Sequence, residues 1–309
     1  MKFDKNNLIS IIIPTYNEEK NVPVIYNSLK KELFGYNMQI VFVDDGSKDD
    51  TLLEIKKLAR VDNNVNYISF SRNFGHQKAL MAGLNFANGE LVISMDGDMQ
   101  HPVKIIEKLI QKWEDGFEIV YTIRKDKNIP FIKKLTAKLF YKLINYLSDV
   151  EIQQGTADFR LLDKAVVVQL RKLKELHIFY RGIIPWIGYN STGVEYVAED
   201  RAYGDSKYTF KKMMGFALDG IISFSTKTLR ISIYFGIIIA FLSFAYGLFA
   251  VYQTAFTQNA ISGWGSTISV ILFIGGFQLI VLGIIGEYIG KIYIENKNRP
   301  NYIIKESNI

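Results

Sequence analysis

Leu91-Val92-Ile93-Ser94-Met95-Asp96-Gly97-Asp98-Met99-Gln100 is an apolar run that stops at an acidic cluster. Its length and the Gly97 that follows predict a buried strand over 91–96 that ends in a polar turn. Working outward, four more short apolar runs read as strands, over 8–14, 38–44, 65–69 and 118–122. The stretches between them, 22–33, 50–60, 76–87 and 102–114, carry the apolar spacing of helices. This alternation predicts an α/β fold, a parallel sheet covered by helices. In such sheets ligands bind at the carboxyl ends of strands, where the polar clusters fall.

The acidic cluster itself carries chemistry. Asp96 and Asp98, with the amide oxygen of Gln100, offer hard oxygen ligands for one divalent cation, Mg²⁺ or Mn²⁺. Such a cation neutralises a leaving diphosphate. A solvated turn is the plainer reading of Asp-x-Asp alone. Val43-Asp44-Asp45-Gly46-Ser47 ends a second strand, where one carboxylate can accept from a base or ribose and the other can cap the next helix. Pro14 is expected to stop the first strand. Beyond it Tyr16 can pack on a base and Glu18 can hydrogen-bond to it. Ser71-Arg72-Asn73-Phe74-Gly75 follows the third strand and can bring Arg72 near a nucleotide. His76, His101 and His177 are scattered and form no metal cluster by spacing.

A second regime begins near Arg230. No Asp, Glu, Lys or Arg occurs from Ile231 to Gly286, and a polar stretch over 257–266 divides the region in two. Each part is long enough to cross a bilayer core of about 30 Å, which takes about 20 helical residues. A buried helical hairpin is the alternative. Lys227, Arg230, Lys291, Lys297 and Arg299 flank the pair and the intervening loop has no Lys or Arg, so both flanks and the N-terminal domain are expected on the cytoplasmic side. Residues 131–148 show a basic amphipathic pattern with Lys134, Lys138 and Lys142 in a stripe. This suits an anionic membrane surface or, alternatively, an ordinary helix on the sheet. Residues 208–224 also read as interfacial. The expected division is a sheet domain over 1–165, a region with interfacial helices over 166–229, a transmembrane hairpin over 230–294 and a cytoplasmic tail over 295–309.

Composition agrees. A length of 309 residues allows one α/β domain with an appendage, and 49% hydrophobic residues asks for a membrane part. There is no cysteine, which excludes disulfides and thiolate-bound zinc. A net charge of +6 suits an anionic partner, but no nucleic-acid module is visible. The polar start, residues 1–7, is not a secretory signal.

The four polar motifs, in order and ending in Asp96-Gly97-Asp98-Met99-Gln100-His101-Pro102, resemble the family-two glycosyltransferases with the GT-A (Rossmann-like) fold. Asp158-Phe159-Arg160-Leu161-Leu162-Asp163, Arg201 with Gly204-Asp205-Ser206-Lys207-Tyr208, two apolar spans and Asn298-Arg299-Pro300 narrow the likeness to polyprenyl-phosphate glycosyltransferases. The resemblance implies that Pro14, Tyr16, Glu18 and Asp45 contact the nucleotide-sugar, with Arg72 and Gly97 grouped beside them. It implies that Asp96 is a catalytic, donor and metal residue, with Asp98 and Gln100 as metal ligands and Asp98 also against the nucleotide-sugar. It implies that Asp158 is the catalytic carboxylate. Arg124, Arg201 and Lys207 are implied to grip phosphate, although attraction to anionic headgroups also explains the last two. Gly97 departs from the alanine of many relatives.

The function implied is inverting transfer of a hexose, glucose from UDP-glucose, onto undecaprenyl or another polyprenyl phosphate at the cytoplasmic face of a plasma or inner membrane. UDP-N-acetylglucosamine or GDP-mannose as donor, and a non-catalytic membrane partner, are the alternatives. A processive polysaccharide synthase is disfavoured, because Gln-x-x-Arg-Trp is missing. Gly275-Gly276 and Gly283–Gly290 would let membrane helices pack closely in a homo-oligomer.

Overall fold

Alternate residues of β1 (Ile9–Thr15) feed two separate cores, as the period of a strand requires. Ile9, Ile11 and Ile13 pack on one face with helices α1 (Asn21–Glu32), α2 (Thr51–Val61) and α4 (Ile105–Glu114). Ile12 packs on the other face with α3 (His76–Phe86), α5 (Lys164–Lys172) and α6 (Tyr180–Trp186). The computed structural model describes residues 3–125, 145, 155–173, 175, 180–197, 227–256 and 263–309.

The sheet has eight strands in the order β7-β5-β6-β4-β1-β2-β3-β8. Beside β1 these are β2 (Met38–Asp44), β3 (Val65–Phe70), β4 (Leu91–Ser94), β5 (Ile119–Arg124), β6 (Thr156–Asp163), β7 (Ser191–Tyr196) and β8 (Ile304–Ser307). The pairs β4–β1, β1–β2 and β2–β3 are parallel, as expected. The whole sheet is mixed, however, because β6 runs antiparallel to β4 and β5, and β8 antiparallel to β3. β6 matters most. Running backwards beside β4, it carries its first residues to the carboxyl end of β4, where the acidic turn lies.

Pro14 does not stop β1, which continues through Thr15 and keeps its register with β2 up to Asp44. Successive residues of a strand point their hydrogen-bonding groups to opposite sides. Ile12 accepts from Met95 N–H, on the side of β4, so Pro14 faces that side too. There β4 has already ended, and the N–H that proline lacks has no ladder partner to lose.

Residues after 295, expected as a tail, return to the sheet. A bare β3 edge would expose a row of backbone donors and acceptors, and β8 covers it. Tyr302 stacks on Phe70 with centroids 4.9 Å apart, and Lys56 pairs with Glu306 at 2.5 Å.

In chain order two long helices, α7 (Lys227–Phe256) and α8 (Trp264–Asn296), come between β7 and β8. Their stretches Ser232–Phe249 and Phe273–Asn296 are long and apolar enough to cross a membrane. Neither stretch is buried in the protein, and Phe241 and Leu279 are 70% and 71% exposed. This is the opposite of a buried core hairpin. Arg201, Lys207, His177, the segment 208–224 and, apart from Asn145, the basic segment 131–148 lie outside the described residues.

Candidate active site

The carboxyl ends of β1, β2, β3 and β4 and the start of β6 share one edge of the sheet. Asp44 and Asp45 divide their work there. Asp44, buried at the end of β2, accepts from Ser47 N–H at 3.0 Å and from the Ser69 hydroxyl at 2.8 Å. It pins its own turn. Asp45 accepts from Phe74 N–H at 2.6 Å and Gly75 N–H at 2.9 Å, so it holds the loop between β3 and α3. Burial pushes the Asp45 carboxyl above its usual range, Asp44 adds to the rise, and the two backbone N–H groups and His76 oppose it. Gly46 makes the arrangement possible. Its φ is +68°, and a Cβ there would lie 2.4 Å from the backbone carbon of Arg72.

The loop after β1 joins the same surface. Asn17, at φ 55°, donates its N–H to the Ser47 hydroxyl and accepts from Lys48 N–H at 2.9 Å. Glu18 accepts from the Asn21 side chain at 2.6 Å, and its N–H donates to the Thr51 hydroxyl. Pro14 is buried, and Tyr16 and Glu18 are half-buried. Arg72 is exposed, with its guanidinium over the Phe74 ring at 4.1 Å.

Asp96 and Asp98 follow β4 in a turn closed by Met99 at φ 64°. Gln100 N–H donates to Asp98 Oδ1 at 3.1 Å. Arg124, the last residue of β5, brings Nη1 to 3.4 Å from Gln100 Oε1. The donor set is all oxygen, which fits Mg²⁺ or Mn²⁺ held by two carboxylates and completed by substrate phosphate. Among the described residues no three His, Cys, Asp or Glu side chains form a metal-binding group. A cation at this turn would need further oxygen ligands beyond the two carboxylates, such as the Gln100 amide. Gly97 sits tightly, and a Cβ would stand 3.2 Å from both the Pro14 carbonyl oxygen and Thr15 Cγ2.

Asp158, on β6, is 5% exposed. Its Oδ1 accepts from Arg160 Nη2 at 3.1 Å and its Oδ2 from Gln77 Nε2 at 3.4 Å. Sequence reasoning missed three further residues. Arg160 is the buried partner of Asp158, two positions on along the strand and so on its face. His101 is 4% exposed, stacks on Phe159 at 5.0 Å and accepts from Asp96 N–H through Nδ1 at 3.0 Å. His76 Nε2 stands 3.5 Å from Asp96 Oδ1 and 3.5 Å from Asp158 Oδ2. Both histidines adjoin motifs that the sequence displays, but their common approach to Asp96 is visible only in the fold.

A family profile described as Glycosyl transferase family 2 matches residues 10–171, and one described as GtrB C-terminal hairpin matches residues 228–292. The chain is 44% identical to the SfII prophage-derived bactoprenol glucosyl transferase of Shigella flexneri, over 97% of this chain and 98% of the other. It is 43% identical to the prophage bactoprenol glucosyl transferase homolog of Escherichia coli, over 96% and 98%. Among solved structures, the mannosyltransferase PcManGT of Pyrobaculum calidifontis, in complex with GDP-Man and Mn²⁺, superposes with a TM-score of 0.48 at 16% identity. That match covers 73% of this chain and 65% of the other.

Proposed function

Because the chain belongs to glycosyl transferase family 2, we propose that it transfers glucose from UDP-glucose, with inversion, to undecaprenyl or another polyprenyl phosphate at the cytoplasmic membrane face. The observation that carries this reading is the meeting of Asp96 and Asp158 at one imidazole, beside the strand ends, in a chain with two outward-facing apolar helices. The names of its relatives, bactoprenol glucosyl transferases, supply the acceptor and sugar of the proposal.

In the proposed reaction an acceptor phosphate oxygen attacks the anomeric carbon. The bond from that carbon to the diphosphate oxygen breaks, and its electron pair leaves with the nucleoside diphosphate. A phosphate monoester has a second pKa of about 6 and is mostly dianionic at neutral pH, so no strong base is required. Asp158, held by Arg160 and Gln77, orients the acceptor or the sugar. Asp45, Pro14, Tyr16, Glu18 and Arg72 form the nucleotide side, with Asp96 and Gly97 beneath the donor. Asp96, Asp98 and Gln100 would hold Mg²⁺ or Mn²⁺, which when bound neutralises charge on the departing diphosphate. Arg124, with Arg201 and Lys207 in the proposed acceptor region 166–229, offsets repulsion between two phosphate-bearing substrates.

The test is transfer by the full-length protein in detergent, with undecaprenyl phosphate, Mg²⁺ or Mn²⁺ and each of UDP-glucose, UDP-N-acetylglucosamine and GDP-mannose. Mass spectrometry of the lipid is expected to show one glucosyl phospholipid. A product with another sugar would reassign the donor, and no lipid product with any donor would overturn the reading.

A further inference from the structure

The imidazole of His76 stands between the two carboxylates on which the proposed chemistry depends. One ring nitrogen, Nε2, lies at the same 3.5 Å from Asp96 Oδ1 and Asp158 Oδ2. Two carboxylates turned toward each other repel, and a polar hydrogen placed between them keeps both in place. The contacts are longer than settled hydrogen bonds, as is common before substrates close a site.

The backbone that carries His76 is held on both sides. It is the first residue of α3, and the N–H groups of the two residues before it, Phe74 and Gly75, both donate to Asp45. The residue after it, Gln77, donates to Asp158 and accepts from Tyr180 N–H at 3.3 Å. On the other side of the site, Asp96 is steadied by its N–H donating to buried His101, and Asp158 by buried Arg160. An unbroken path therefore runs from Asp45, on the nucleotide side, through the α3 start to Asp96 on the donor side and Asp158 on the acceptor side.

We infer that His76 is a positioning residue for the transfer step, setting Asp96 and Asp158 in register so that donor and acceptor are held for in-line attack. This rests on the glycosyl-transfer reading above. Misplacement of about 1 Å in such a site costs about 100-fold in rate. Removing the imidazole should lower kcat far more than it weakens nucleotide binding. It should also let water compete with the misaligned acceptor, releasing free sugar and nucleoside diphosphate.

The experiment compares wild-type protein, His76→Ala and His76→Gln, full length in detergent. Glucosyl lipid, free glucose, UDP affinity with Mn²⁺ and melting temperature are measured for each. His76→Ala is expected to lose about 100-fold in kcat for transfer, keep its UDP affinity and melting temperature, and raise the ratio of free glucose to glucosyl lipid. Gln, whose amide nitrogen can reach the place of Nε2, is expected to recover about 10-fold. Wild-type transfer by His76→Ala overturns the inference. So does a matched loss of UDP affinity and melting temperature without recovery in His76→Gln, which would make His76 a folding residue only. If the wild-type protein itself makes no glucosyl lipid, the functional reading fails rather than this one.

Discussion

A Cβ on Gly46 would need the space of the Arg72 backbone, and the left-handed φ there costs any other residue about 1–2 kcal/mol before that collision is counted. Gly46→Ala should therefore displace the loop that Asp45 holds. We expect a stability loss of about 2 kcal/mol or more, read by thermal melting, together with weaker UDP binding. An unchanged melt and affinity would mean that the loop moves at no cost. The role of Gly46 is half legible in the sequence, since Asp-Gly marks a turn but not what leans on it. The acidic turn was easier to single out, because Asp96, Asp98 and Gln100 are close neighbours in sequence and all carry oxygen donors. Asp98→Ala or Gln100→Ala should reduce metal-dependent turnover by about 100-fold, about 3 kcal/mol in the barrier. Full turnover without added divalent cation would remove the metal role. His76 was not legible, because it meets Asp96 and Asp158 across strands; Arg160 and His101 lie close in sequence to their partners, but local spacing does not say that either is buried against them.

Elements read well from sequence where periodicity and packing agree, as in β1 to β5 and α1 to α4. The strands β6, β7 and β8 were not read out. β8 is a short polar segment whose reason for being a strand lies in the edge it covers, not in its own residues. Its hold is considerable: Tyr302 against Phe70, Ile303 accepting from Ser71 N–H, and Asn308 bonding Tyr67 N–H and the Val65 carbonyl. A chain ending at Arg299 should melt at least about 5 °C lower and aggregate through the bared β3 edge, as seen by light scattering. A second prediction concerns the pairing of α1 with the end of α2. Burial raises the Asp62 carboxyl, but the Lys30 ammonium at 2.7 Å, Asn64 N–H and the Tyr26 hydroxyl outweigh it and leave it below the ordinary 3.8. A depressed carboxylate stabilises the fold above its ordinary pKa, and the contribution fades as pH falls through the folded value. Asp62→Asn should cost about 1 kcal/mol at pH 7, a modest figure because Lys30 is partly exposed. That difference from wild type should shrink as melts are taken below the ordinary carboxylate value. A gap independent of pH would assign the loss to packing.

On the scale of the whole molecule, the sheet closes a topological circuit through the apolar helices. Strands β1 to β7 precede α7, and β8, in the same sheet, follows α8. If the apolar helices cross a membrane, as proposed, whatever lies between β7 and β8 must leave and return on one side of it, so the number of crossings is even. Between Lys212 and Lys227 the uncharged run is broken by Asp219 and is too short to cross. Two helices of 30 and 33 residues, about 45 and 50 Å long, are long enough for the two crossings proposed. The charge bias of the flanks supports the proposed placement of the sheet on the cytoplasmic side, which would leave the polar sequence around Asn259 on the other. Because the chain has no cysteine, single replacements report on this directly. Asn259→Cys should react with a membrane-impermeant maleimide in intact cells. Ser307→Cys and Lys48→Cys should react only after permeabilisation. Labelling of Asn259→Cys and Ser307→Cys from the same side would break the hairpin. Labelling of Lys48→Cys in intact cells would turn the whole protein over and remove its access to cytoplasmic nucleotide-sugars.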